Sequence, residues 1–165
     1  MNHHPLRGVL MGLGVALAGT PADAAAYVTI IKQVQVERSA DAVWKRVGDF
    51  CAISVWMKTT CEYTSGTGGV GTVRRILNGA TVEPMVAQTA HSYTYWQSVG
   101  NMAATGFHGT LAVEPDGSGR SRLSYTLFYD ESALPSDEVR AAQRERLNGR
   151  FQELLGVMKS MAEKP

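Results

Sequence analysis

The order of elements in this 165-residue chain predicts an α+β domain, a curved antiparallel sheet wrapped around a long C-terminal helix with two short helices after the first strand. Three observations predict it. A first alternating strand runs directly into two short helical segments. Strand-like runs then follow one another through turns too short for helical crossovers, which makes them antiparallel neighbours. The chain closes on the longest helix-period stripe of apolar residues in the sequence. A sheet bent round a helix leaves a cavity between the two, and aromatic residues sit on the strands that would line it.

Each element has a local cause. Tyr27 to Glu37 alternates, with Val28, Ile30, Val34 and Val36 on one face, as a half-buried strand does. Ser39 is placed to cap a helix carrying Ala42, Val43, Trp44 and Val47, which Gly48 ends. Ala52 to Met57 reads as a second, shorter helical turn, and the next strand begins at Cys61. Asn78-Gly79 between strand-like runs is the strongest short hairpin signal. With those two residues as the loop, Leu77 faces Ala80 and Arg74 faces Glu83 across the pair. Further strands are expected at His91 to Val99, Phe107 to Val113 and Ser121 to Tyr129, with a turn at Pro115-Asp116-Gly117. Ser136-Asp137-Glu138 supplies a cap and early negative charge for the last helix. Val139, Leu147, Phe151, Leu154, Leu155, Met158 and Met161 form its stripe, and Arg140, Arg144, Arg146 and Arg150 its other faces.

Composition narrows the function. Hydrophobic residues at 44% and charged residues at 19% fit a globular domain with a real core. A net charge of +1, with no basic run longer than Arg74-Arg75, leaves nucleic-acid binding without electrostatic footing. Residues 1–24 read as a cleaved export signal: Arg7 precedes the apolar run Gly8 to Ala18, and two A-x-A patterns lie between Ala22 and Ala26. That run is shorter than the ~20 residues a membrane span needs. The expectation is a secreted or periplasmic protein, with residues 25–165 as one ligand-binding domain and no stable membrane insertion after cleavage. Nothing in the sequence specifies a protein partner.

Export gives the two cysteines a meaning. In an oxidising compartment an isolated pair, Cys51 and Cys61, is a natural disulfide, and the competing reading is two buried free thiols. Their spacing excludes a C-x-x-C redox site. No histidine or cysteine set has metal-ligand spacing, so no metal is expected. Gly66 to Gly71 matches the string G-x-G-x-x-G, but a strand-like run follows where a dinucleotide site needs a helix N-terminus. The segment reads as an inter-strand loop, and no cofactor is expected.

In order and spacing the chain resembles the polyketide cyclase/dehydrase branch of the START and Bet v 1-like (SRPBCC) superfamily. The likeness rests on Val43-Trp44, Gly48-Asp49-Phe50, Ile53, Trp56, Cys61, Gly71-Thr72-Val73-Arg74, Gly79, Glu83, Tyr93-x-Tyr95 and Thr110-Leu111-x-Val113. It implies a helix-grip fold over essentially the whole mature chain, with an internal cavity. Many relatives have Trp-His-Pro where Trp56-Met57-Lys58 stands, and a Leu-Pro-Val-like segment in place of Met102 to Gly106. Both lie near the cavity mouth in the family fold, so ligand identity does not transfer.

Strand parity then sorts the candidate residues. Trp56, Tyr93, Tyr95, Phe107 and Tyr125 are expected to bind a ligand. Rings bearing hydroxyls suit a small hydrophobic, aromatic molecule, although any one of them serves equally well as core filling. Arg74 and Glu83 point inward together, either as a structural brace or as an anchor and a base. His91 with Tyr95 completes the acid/base candidates. The expected function is an exported protein that binds a small aromatic ligand. The alternative is a cofactor-independent cyclase, dehydratase or lyase acting through Glu83, Arg74, Tyr95 and His91.

Overall fold

The computed structural model describes residues 24–164. All of the expected export signal except Ala24 lies outside these residues. The first strand, β1 (Tyr27–Val36), leads into α1 (Ala40–Val47) and α2 (Ile53–Trp56). Then come β2 (Cys61–Ser65), β3 (Val73–Ile76), β4 (Thr81–Thr89), β5 (Ser92–Trp96), β6 (His108–Pro115) and β7 (Ser121–Asp130), before α3 (Asp137–Glu163). The strands form one seven-stranded antiparallel sheet in the order β1-β7-β6-β5-β4-β3-β2. From β2 to β7 it is a meander. The first strand closes it on the far side, pairing with β7 along its whole length from Tyr27↔Asp130 to Val36↔Ser121.

The helices start and stop for the reasons the sequence carries. The Ser39 hydroxyl accepts from Ala42 N–H, and the Ser136 hydroxyl from Val139 N–H. Leu147, Leu154, Leu155 and Met158 of α3 are buried in one core with Leu111, Leu123, Tyr125 and Leu127 of the sheet. Val139 departs from its expected place on the stripe and is 40% exposed. It stands two turns before Leu147, where the buried part of the helix begins.

The hairpin keeps the expected register, with Arg74 opposite Glu83 and Ile76 opposite Thr81. Its tip is longer than the expected pair of residues: Leu77 and Ala80 do not face each other as strand residues but close a four-residue turn, with Ala80 N–H donating to the Leu77 carbonyl. Leu77, Asn78 and Gly79 all have positive φ, at 56°, 54° and 90°, which ends the ladder at Ile76. Leu77 therefore stands out from the tip, 42% exposed. The fifth strand is also shorter than His91–Val99. His91 sits in the turn before it, and Val99 leaves to pair with Val82 instead. Gln97 secures that exit by accepting a hydrogen bond from Met102 N–H at 2.8 Å. Cys51 and Cys61 form a disulfide with their Cα atoms 5.5 Å apart, fastening the start of the α2 segment to the edge strand β2.

Candidate functional site

Between α2, strands β3, β4, β5 and β7, and α3 lies a cavity of about 170 Å³. Its walls are the Trp56, Tyr95, Phe107 and Tyr125 rings with Ile53 and Leu154. The Phe151 ring of α3 also lines it, 4.6 Å from the centre of Tyr125. The Phe151 ring packs on Tyr125, while Tyr95 lies back against β6. That placement depends on Gly109, the residue paired with Tyr95 across the sheet. A Cβ on Gly109 would fall 2.4 Å from the tyrosine ring and hydroxyl, so only glycine lets the ring lie flat on the strand.

Polar groups are few and specific. Arg74 is fully buried, and its Nε and Nη2 both lie 2.7 Å from Oε2 of Glu83. Its Nη1 donates to the Phe50 carbonyl, and the guanidinium stacks 4.0 Å from the Phe50 ring centre and 4.8 Å from that of Tyr95. Burial alone would lower its pKa. The Glu83 carboxylate, helped by the surrounding phenols, more than offsets this and holds the guanidinium cationic, above its ordinary value. Glu83 lines the cavity, whereas Arg74 stands behind it. Arg74 is thus a brace that positions Glu83.

The phenols are linked as well. Tyr125 donates to the Tyr95 hydroxyl at 3.0 Å. Burial pushes the Tyr95 hydroxyl far above the ordinary phenol range, with Glu83 adding to the rise and Arg74 opposing it. For Tyr125, burial again comes first, followed by the neighbouring phenols Tyr95 and Tyr93. Both therefore remain neutral, as hydrogen-bonding hydroxyls and not as titrating acids or bases, at any physiological pH. Trp56 is 2% exposed, and its Nε1–H has no acceptor among the described residues.

Two expected site residues fall elsewhere. Tyr93 packs behind the cavity between Trp44 and Phe50, with ring centres 5.9 and 5.1 Å away. It shares a face with Tyr95, but Phe50, arriving from the segment after α1, covers its part of the sheet. His91 turns outward, with Nε2 2.7 Å from Asp41 Oδ1 and its ring against Trp44. It does not meet Tyr95 or the cavity. In the other direction, Arg146 and Arg150, expected on the faces of α3 away from its apolar stripe, are exposed there and also line the cavity. Their spacing of four residues, one turn of a helix, was the available signal.

The family model for polyketide cyclase / dehydrase and lipid transport matches residues 27–163, which is every strand and helix described above. The chain belongs to this family. No curated protein matches it. Among solved structures, it is similar to truncated norcoclaurine synthase from Thalictrum flavum, at 15% identity and a TM-score of 0.67, over 88% of this chain and 99% of that one. It is also similar to the Zhui aromatase/cyclase from Streptomyces sp. R1128, at 18% identity and a TM-score of 0.67, over 84% and 94% of the two chains. A third likeness is to Ara h 8.0201, at 19% identity and a TM-score of 0.59, over 82% and 99%. At these identities the likeness establishes the helix-grip fold of the polyketide cyclase/dehydrase family and leaves the ligand open.

Proposed function

We propose that this member of the polyketide cyclase/dehydrase family is an exported binding protein for a small aromatic molecule held in the cavity between sheet and helix. The cavity itself carries the reading. At about 170 Å³ it has the size for one ring, since an apolar cavity of about 150 Å³ in another protein takes up benzene. Aromatic walls supply dispersion and edge-to-face contact, and the Glu83 carboxylate and Tyr95 hydroxyl supply orientation. Export rests on the signal-like residues 1–24 and on the Cys51–Cys61 disulfide, which persists in an oxidising compartment.

Native mass spectrometry of protein purified from its own host tests this directly. A co-purifying single-ring molecule, released unchanged on denaturation, is the expected result. An empty protein that ignores a panel of aromatic molecules would overturn the reading. N-terminal sequencing of that same preparation tests export, with a mature chain expected to start between Ala24 and Ala26.

A catalytic reading has one observation in its favour. Glu83 lines the cavity beside the Tyr95 hydroxyl, and the brace from Arg74 occupies only one of its two carboxylate oxygens. In a cofactor-independent cyclase, dehydratase or lyase, that carboxylate would remove a proton while a neutral Tyr95 hydroxyl donates to the oxygen gaining charge. Glu83→Gln separates the two readings. In an enzyme it lowers turnover by roughly 10²–10⁴-fold, whereas in a carrier it changes affinity mildly and nothing is converted.

A further inference from the structure

The cavity mouth carries positive charge, whereas the charge at its floor is balanced within an ion pair. Of the residues lining the cavity, Leu77, Asn101, Arg146 and Arg150 are exposed, so the opening lies between the hairpin tip, the loop after β5 and one turn of α3. The acid in the lining is Glu83, buried at the far side, and Arg74 neutralises it from behind. Neither mouth arginine is neutralised in the same way. Arg146 donates through Nε to the uncharged Gln143 side chain at 3.2 Å and forms no ion pair among the described residues. Arg150 lies 3.8 Å from Glu153, a carboxylate 73% exposed to water, beyond hydrogen-bond distance. An apolar ring pocket therefore opens through two cations and ends at a carboxylate whose charge Arg74 already balances.

We propose that the ligand is a single-ring aromatic carboxylate, seated with its ring among Trp56, Phe107 and Tyr125 and its carboxylate outward between Arg146 and Arg150. Guanidinium groups suit carboxylates because their planar N–H pairs match the two oxygens. The orientation follows from the floor. A carboxylate driven inward would lose its hydration and meet Glu83, whose matching cation is already engaged. Outward, it keeps water on one side and the two arginines on the other. This assignment rests on the cavity being a ligand site, and it adds the ligand's charge and direction.

Phenylacetate and 2-phenylethanol are suitable probes, because they share the ring and chain length and differ in charge. Binding is read by isothermal calorimetry on the wild type and on the R146Q/R150Q double variant, with circular dichroism confirming the fold of each. In the wild type the acid should bind ~10-fold or more tightly than the alcohol at low salt, and the gap should narrow as salt rises. In the double variant the acid should weaken by about tenfold while the alcohol stays within about twofold. Equal wild-type binding of the two probes, or equal weakening of both in the variant, overturns the charge assignment and leaves the cavity reading intact. If neither probe binds while another aromatic molecule of the panel does, the charge assignment falls and the cavity reading stands; if nothing in the panel binds, both fall.

Discussion

Arg74 places two guanidinium nitrogens, Nε and Nη2, at the same 2.7 Å from a single oxygen of Glu83. The pair lies between adjacent strands, opposite each other in register, with essentially no water contact on the arginine. One carboxylate oxygen thus anchors the brace while the side chain as a whole still reaches the cavity. Phe50, tied to the same guanidinium through its carbonyl and its ring, connects the α1–α2 segment to that brace.

Removing one partner leaves the other charge buried. Arg74→Leu should therefore cost about 3–5 kcal/mol, and a joint Arg74→Leu, Glu83→Leu change should recover much of the loss. Urea denaturation of the two single variants and the double variant measures this. A double variant no more stable than Arg74→Leu would show that the pair's value lies in packing against Phe50 and not in charge.

Tyr93, Tyr95 and Tyr125 give the fold an alkaline limit. Burial, the largest cause in each case, raises all three phenols above their ordinary value. Once pH passes the unfolded phenol value of about 10, the unfolded chain releases these protons while the folded chain keeps them. The folded state then binds more protons than the unfolded one, so stability falls as pH rises. Below that value the three groups make no pH-dependent contribution. Urea midpoints should hold level, as far as these groups act, up to about pH 9 and then fall. Phenolate absorbance should reveal a set of tyrosines that ionise only on unfolding.

Gly109 is the position least tolerant of a methyl group for the sake of the cavity. Gly109→Ala should destabilise the protein by about 1–3 kcal/mol, because the added carbon overlaps the Tyr95 ring and forces it off the strand. The displaced ring has the cavity to move into, so affinity for ring ligands should drop alongside stability. A thermal melt and a ligand titration on one sample test both. Unchanged affinity would mean that Tyr95 moves elsewhere.

The Cys51–Cys61 link closes a loop of sequence separation 10 and holds the segment that delivers Ile53 and Trp56 to the cavity. Replacing both cysteines with serine, or reducing the bond, should cost about 2–3 kcal/mol on the chain-entropy account. Denaturation with and without a thiol reductant measures it, and the serine variant should show no difference between the two conditions.

Much of this architecture is legible in the chain because its causes are local. Ser39 and Ser136 mark helix starts by the hydrogen bonds they make three residues on. Asn78-Gly79 fixes the hairpin register, and through it the meeting of Arg74 with Glu83. Alternation along β5 to β7 sorts Tyr95, Leu111, Leu123 and Tyr125 to one face. The family model, too, matches the chain from the first strand to the end of the last helix.

Which rings reach the cavity was decided by packing across the whole domain. Tyr93 and Tyr95 share a face, yet Phe50 covers one and leaves the other open, because the α1–α2 segment crosses only that end of the sheet. Arg146 and Arg150 lie off the apolar stripe of α3 and are exposed, yet they rim the cavity once the helix is packed on the sheet. The sequence by itself determined the elements, their order and the facing of their side chains, since these follow from backbone periodicity and turn chemistry within a few residues. The tertiary structure alone decided where the sheet leaves a void and which charges guard it, since a void is a property of curvature and of surfaces brought together from distant parts of the chain.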